Sequence, residues 1–462
     1  MVMIYNGIHI DNILEDALRT GATFAELFFE ETTFSNIRVE SGKIDMAVVG
    51  TDRGIGLRLF HDGIVYYAST TDITDEKIIR LLKVLSAYFN KQNTGKALII
   101  PEPSRAITGV VKHPLGVNLA RKADILLEAQ NEAYRTSSQI VQVQAGYMDS
   151  VRRIGVFSTN SVSVEDEQIR TTVSFNVILE KDGKLHTGYE SLGGTIGMEL
   201  FNNNAHLTTV KTAVNRAIKM SNSMSIKGGK MTVVLSSEAG GTMIHEAVGH
   251  GLEADHVYKG LSVYTGKLNQ QVASHLITVV DDPTMPGMRG SFNYDDEGTK
   301  AKRNIVIENG VLKNYLFDLK YATEHNMQPT GNGRRESFRY PPIPRMTNTL
   351  ILSGEDDPDS IISEVDEGLL VLKMGGGEVN TATGDFIFEI TEGHIIEHGK
   401  IGPPVEGVTL LGNGPTVLKE IDRVGNDMGY GIGTCGKDNQ GVPVADGQPT
   451  LRIPQIIVGG KK

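Results

Sequence analysis

The chain has 462 residues, 39% of them hydrophobic and 22% charged, too long for one compact core and suited to two domains of roughly 200 residues each. Its 45 basic and 56 acidic residues leave a net charge of −11, which argues against a general binder of nucleic acid or membrane surfaces. No apolar run approaches the roughly 18 residues of a membrane span, Met1–Asn12 lacks a signal-peptide pattern, and the single cysteine, Cys435, excludes an intramolecular disulfide. A cytoplasmic location is expected.

From Asp11 an amphipathic helix carries Ile13, Leu14, Ala17 and Leu18 on one face and stops at Gly21. Strands follow, turning at Ser41-Gly42-Lys43 and His61-Asp62-Gly63, and a second helix opens near Thr74. Asn90 to Asn118, with Pro101, Pro103 and Pro114, has no periodicity and reads as a long connection. Leu119 to Arg135 reads as a third helix, Ile140 to Leu192 as β-rich with a hairpin at Asp182-Gly183, and Thr208 to Met220 as a fourth helix. Beyond residue 230 the texture becomes short strands joined by glycine turns, as at Glu308-Asn309-Gly310 and Glu397-His398-Gly399, with one further helix within Asp356 to Asp366. The expected fold is α+β: a mixed α/β N-terminal domain, 1–224, followed by a mainly β C-terminal domain, 225–462.

That second domain contains HEAVGH, His245 to His250. In the zinc-protease pattern H-E-x-x-H the histidines sit roughly 40° apart around the helix, whereas a spacing of five residues separates them by roughly 140°. Two such rings can share an ion only if the helix ends or widens between them, and a π-type turn would do so. Gly249 makes that distortion cheaper, so a β-branched residue there is expected to harm metal binding more than folding. A catalytic zinc site usually takes three protein ligands, and the third is open among Glu253, Asp255, His256, His394, His398 and Cys435. Glu246, beside the first histidine, is placed to act as general base toward a metal-activated water. Hydrolysis of a polarised carbonyl is the chemistry this set supports. A non-catalytic peptide-binding scaffold with a structural metal is the alternative, and a structural metal has no use for a base at Glu246.

Three stretches, HEAVGHGLEAD, GNGRRESFRYPPIPRMTN from Gly331 to Asn348, and GTCGKDNQGVPVADGQPTLRI from Gly433 to Ile453, resemble the TldD/PmbA family of metallopeptidases along essentially the whole chain. The resemblance implies zinc held by His245, His250 and Cys435, with Glu246 catalytic. It also implies a hetero-oligomer with a TldE/PmbA-type subunit, with self-association as the other form, and unfolded peptides or peptide precursors as substrates. The family is associated with maturing ribosomally made antibacterial peptides and degrading antitoxin-like peptides.

Two further expectations concern surfaces. The run RRESFRYPPIPR, with four arginines around prolines, reads as a solvated loop; its functional alternative is a loop near the cleft in which Arg334, Arg335 or Arg339 pairs with carboxylates of substrate or partner, with Tyr340 orienting substrate and Pro341 and Pro342 stiffening it. The strand VVLSS at Val233 offers a possible edge for an extended peptide.

Overall fold

The fold is taken from a computed structural model that describes residues 4–89, 98–106 and 109–460. Parts of the long connection expected over Asn90 to Asn118 therefore lie outside the described residues. The first helix, α1 (Ile10–Arg19), leads into two long antiparallel strands, β1 (Phe24–Glu40) and β2 (Lys43–His61), and a shorter β3 (Ile64–Thr70). Helix α2 (Asp75–Ser86) starts where Thr74 caps the N–H of Lys77, and α3 (Leu119–Thr136) starts under the side chain of Asn118. After the strands Ile140–Ser158, Ser163–Lys181 and Lys184–Gly194, α4 (Ala205–Met220) closes the N-terminal half. The hairpin residues Asp182 and Gly183 both have positive φ, 53° and 75°, as a two-residue turn matched to strand twist requires.

These strands form one seven-stranded sheet, ordered β3, β2, β1, Ile140–Ser158, Ser163–Lys181, with Lys184–Gly194 and the two-residue strand Ser104–Arg105 also pairing the last of these. Inward residues alternate along β1: Ala25, Leu27 and Phe29 pack under α1 and α2, while Ile37 and Val39 pack under α3 and α4. The opposite face near Phe28, Ile154 and Val156 packs against Phe338 of the C-terminal half.

The C-terminal half is strand-rich, with an eight-stranded and a six-stranded sheet around one large apolar core. The strand Gly229–Leu235 lies inside the eight-stranded sheet, parallel to Glu367–Val379 on one side and antiparallel to Leu451–Gly459 on the other. The VVLSS stretch is therefore not an edge, because both its backbone sides are taken by strands from far along the chain. The Asn309-Gly310 and His398-Gly399 turns are present, and the helix in Asp356 to Asp366 runs Pro358–Ser363. The overall class is α+β, mixed first and strand-rich second.

The arginine-rich run is not a solvated loop. Arg334, Arg335 and Arg345 are buried, at 4%, 1% and 0% exposure; Arg334 and Arg345 bond to carbonyls within the C-terminal half, and Arg335 joins the two halves. Arg335 donates to Glu26 Oε1 at 2.6 Å and to the Asp296 carbonyl at 2.8 Å. Arg58 of β2 pairs Glu26 and also Glu297 Oε1 at 2.6 Å, and Arg152 pairs Asp296 at 2.7 Å. Only Arg339 of the four is exposed, and its acceptor is Asp52 of β2 at 2.9 Å rather than any external carboxylate. Buried guanidinium groups persist because each finds an ionic or carbonyl partner. Removing Arg335 would leave Glu26 half-neutralised, a loss on the order of 3–5 kcal/mol.

Candidate metal centre

The chain leaves the central strand Gly229–Leu235, turns at Gly240, and makes one helical turn, Thr242–Ile244. From His245 to Gly249 the helix is a π turn, with the N–H of His250 bonded to the carbonyl of His245. The extra residue brings the two imidazoles together, with ring centres 5.1 Å apart and planes at 89°. The widening expected from the five-residue spacing is present, although its relation to Gly249 differs from expectation. Gly249 has an ordinary helical φ of −55°. Its lack of a side chain instead makes room for Met346, since a Cβ there would stand 1.8 Å from Met346 Sδ. With Met346 fully buried, Gly249→Val is expected to cost about 1–3 kcal/mol of stability by overpacking as well as lowering metal content. A thermal unfolding midpoint equal to wild type would refute this.

Cys435 arrives on the strand Gly429–Lys437, which pairs with Gln440–Gln448 through a turn at Asp438 and Asn439. Its Sγ lies 3.4 Å from His250 Nε2. Donor atoms of His245, His250 and Cys435 all fall within 4.8 Å of one another, and all three side chains are buried. Burial alone would raise the Cys435 thiol, but hydrogen bonds and charge from His245 and His250 outweigh it and bring the pKa down to about 5. Thiolate character is what a metal ligand needs. Among the described residues, the buried His245 Nδ1 has no hydrogen-bond partner. This orphaned nitrogen and the soft, converging donor set both fit a metal ion.

The other candidates for the third ligand are committed elsewhere. Glu253 Oε2 is 3.0 Å from His250 Nδ1, and Lys437 Nζ lies 3.0 Å from Glu253, 2.6 Å from Asp255 and 3.1 Å from the Pro344 carbonyl. Glu253, Asp255 and His256 do cluster, but the Lys437 ammonium already serves as their cation. His256 Nδ1 meets the His250 carbonyl, His394 the Gly402 carbonyl, and His398 pairs Asp366 at the surface. Burial would raise the Glu253 carboxyl, yet Lys437 and His250 hold it far below the usual range. A carboxylate so placed fixes the tautomer and aim of His250.

Sequence reasoning missed three residues here. Lys437 stands two positions after Cys435, so strand alternation puts both on one face, a signal that was available. Arg345 donates to the Gln440 and Cys435 carbonyls at 3.0 and 2.5 Å, gripping the hairpin on both sides of its turn. Asp446 accepts from the Gly241 N–H at 3.0 Å. Neither of these two had a local signal.

The cluster opens into a cleft of about 1070 Å3 between the two halves, walled on the far side by the strand Lys184–Gly194 and by the hairpin around Lys373 and Glu389. Glu246 faces this cleft and a second, smaller opening. Its Oε2 is 4.0 Å from His250 Nε2. Burial raises its carboxyl pKa against the opposing pull of the two histidines, moving it toward the range useful to a general base.

Residues 25–88, 112–221 and 228–460 match, in order, the first, central and C-terminal domains of PmbA/TldA metallopeptidases. The "Metalloprotease TldD homolog" of Buchnera aphidicola is 34% identical over 459 residues, covering 97% of this chain and 95% of its own. A Saccharolobus solfataricus relative, "Zinc metalloprotease TldD homolog", is 25% identical over 450 residues, covering 97% and 99%. Among solved structures, a Thermotoga maritima protein superposes with a TM-score of 0.81 at 24% identity, covering 97% of this chain and 99% of that one. TldE from Thermococcus kodakarensis superposes at 0.76 and 19%, with the same coverage. The α+β architecture with a candidate metal centre at its cleft is thus that of a metallopeptidase fold. The chain belongs to the PmbA/TldD metallopeptidase family.

Proposed function

We propose that this chain is a zinc-dependent peptidase acting on unfolded peptides or peptide precursors, as the catalytic subunit of an assembly with a TldE-type subunit or with a second copy of itself. The observation that carries the reading is the convergence of His245, His250 and Cys435, with Glu246 beside them, at the cleft. The 3.4 Å between His250 Nε2 and Cys435 Sγ is a separation that two donors to one ion would span. The zinc named in the Saccharolobus relative points the same way. A cytoplasmic location belongs to this reading, since a ligand thiol stays reduced there; among the described residues no helix is long and apolar enough to cross a membrane.

When bound, zinc supplies positive charge that acidifies water and polarises the scissile carbonyl. His245 and His250 would hold it as neutral imidazoles and Cys435 as thiolate, while Glu253, 3.0 Å from His250 Nδ1, holds that ring's orientation. Glu246 accepts the proton of the attacking water at its carboxylate and passes it to the leaving amine. The strand Gly429–Lys437 ends its sheet and lines the cleft. Lys437 faces Gln440 across the two-residue turn, so Lys437, Cys435 and Gly433 turn their backbone groups to the neighbouring strand. Tyr430, Ile432, Thr434 and Gly436 turn theirs outward, where an extended peptide can add as a strand. Recognition through backbone groups carries little sequence preference, which suits unfolded substrates.

The test is cleavage of an unstructured peptide by the chain alone and with a TldE-type subunit, before and after chelation. Activity should vanish with the metal and return with about one zinc per chain. Undiminished cleavage by the metal-free protein would end the reading.

A further inference from the structure

The cleft that opens from the metal cluster carries apolar side chains that the protein leaves uncovered. Tyr189, on the strand Lys184–Gly194, is 50% exposed, and Tyr430, on the strand Gly429–Lys437, is 45% exposed. Both line the cleft together with Met288 and Ile432. Apolar surface left open inside a cleft is the mark of a ligand site, and neither metal binding nor proton transfer at Glu246 uses these four side chains.

Their placement follows from strand alternation. On Gly429–Lys437, Cys435 and Lys437 turn toward the metal cluster and Glu253, so Tyr430, Ile432 and Thr434 turn to the opposite face. Tyr430 lies over Gly447 of the neighbouring strand, where an added Cβ would stand 2.8 Å from its Cδ1. On Lys184–Gly194, Gly188 packs so closely on α4 that a Cβ would meet the Ala213 carbonyl at 2.0 Å. Tyr189 therefore turns away from α4, to the face that carries Arg170 on the adjacent strand. Arg170 Nε donates to the Arg289 carbonyl at 3.0 Å, the Thr195 N–H donates to the Gly287 carbonyl at 3.1 Å, and Arg289 Nε donates to the Gly433 carbonyl at 3.0 Å. These bonds tie the segment holding Met288 to both walls of the cleft.

We infer that Tyr189, Met288, Ile432 and Tyr430 form a subsite for one large apolar side chain of the peptide substrate, about three residues from the bond that is cut. The spacing comes from the strand edge. A peptide added along Gly429–Lys437 turns each side chain to the same face as the residue opposite it. Residues opposite Gly433 and Cys435 then face the metal side, and those opposite Thr434 and Ile432 face the subsite. Thr434 is polar and accepts from Arg289 at 3.4 Å. The first apolar neighbour is thus Ile432, three positions from Cys435, or about 10 Å along the strand. The subsite presupposes the peptidase reading and adds to it a ranking among sequences that backbone pairing admits alike.

The test is cleavage of short unstructured peptides of glycine, serine and threonine carrying a single leucine or phenylalanine, moved one position at a time, by the zinc-loaded protein in its active assembly. Mass spectrometry of the products should show the cut moving with the apolar residue at one fixed spacing of about three residues, on one side of the cut only. The kcat/KM should exceed that of the parent peptide by about tenfold or more. Tyr189→Ser and Met288→Ser should each lower that ratio by about threefold or more with zinc content unchanged. The wild-type spacing decides the matter even where a variant fails to fold. Cleavage at equal rates, or with no fixed spacing, would leave the peptidase reading standing and overturn the subsite. A preference that survives both substitutions would also overturn it. If no peptide of the series is cleaved, the peptidase reading falls and the subsite with it.

Discussion

Glu246→Gln is expected to keep the metal and the fold while lowering peptide cleavage by about 10² to 10⁴-fold, or roughly 3–5 kcal/mol of barrier. The amide fills the same volume at the mouth of the cleft but cannot accept a proton from water. Metal content should be unaffected, because the carboxylate stands beside the His245, His250 and Cys435 donors and is not one of the converging three. The measurement is kcat on an unstructured peptide alongside elemental analysis of the same sample. Cleavage within a few-fold of wild type would remove Glu246 from the mechanism, and loss of metal would make it a ligand instead.

Cys435→Ser is expected to have the opposite profile, with metal binding falling first and activity only as a result. Serine keeps the shape and the strand pairing, but its hydroxyl does not ionise where the thiol, brought down to about 5 by its histidine neighbours, is already a thiolate. The loss in zinc affinity should exceed about 100-fold, beyond the 10–100-fold that outer hydrogen-bond partners typically contribute. Competition against a chelator of known affinity reads this directly. Full zinc at unchanged affinity would hand the third position to Glu253, Asp255 or another histidine. A companion observation is chemical: the thiol of wild type should alkylate after chelation and resist while zinc is bound.

What was legible in the sequence follows the range of the interactions involved. Helices α1 to α4 and the two-residue turns are set within a few positions, by apolar periodicity, by caps such as Thr74 and Asn118, and by pairs such as Asp182-Gly183. The π turn at His245 was legible too, because five-residue spacing and shared ligation cannot coexist on a regular helix. The third member of the cluster was different: the residues alone left six candidates open, and only the family resemblance singled out Cys435, whose donor atom converges with those of the two histidines. The arginine-rich run was misread for a related reason. Nothing near Arg335 shows that its acceptor is Glu26, 309 positions earlier. Likewise the interior position of Gly229–Leu235 depends on strands near 369 and 453. Gly249 was assigned a backbone purpose because its steric neighbour, Met346, is distant in sequence.

The long separations at the junction bear on the order in which a ribosome delivers the chain. Glu26 and Arg58 emerge with the first sheet, but Glu297 and Arg335, which complete their buried ion pairs, are synthesised only much later in the chain. Until then that face of the sheet keeps its charges in water rather than in a core. The candidate metal cluster waits longer still, since Cys435 and Lys437 are made long after His245 and Glu246. A nascent chain holding the whole HEAVGH segment thus lacks both the thiolate and the lysine that anchors Glu253. The candidate metal centre can assemble only once synthesis has passed Lys437, so a product that stops before it carries the motif without the site.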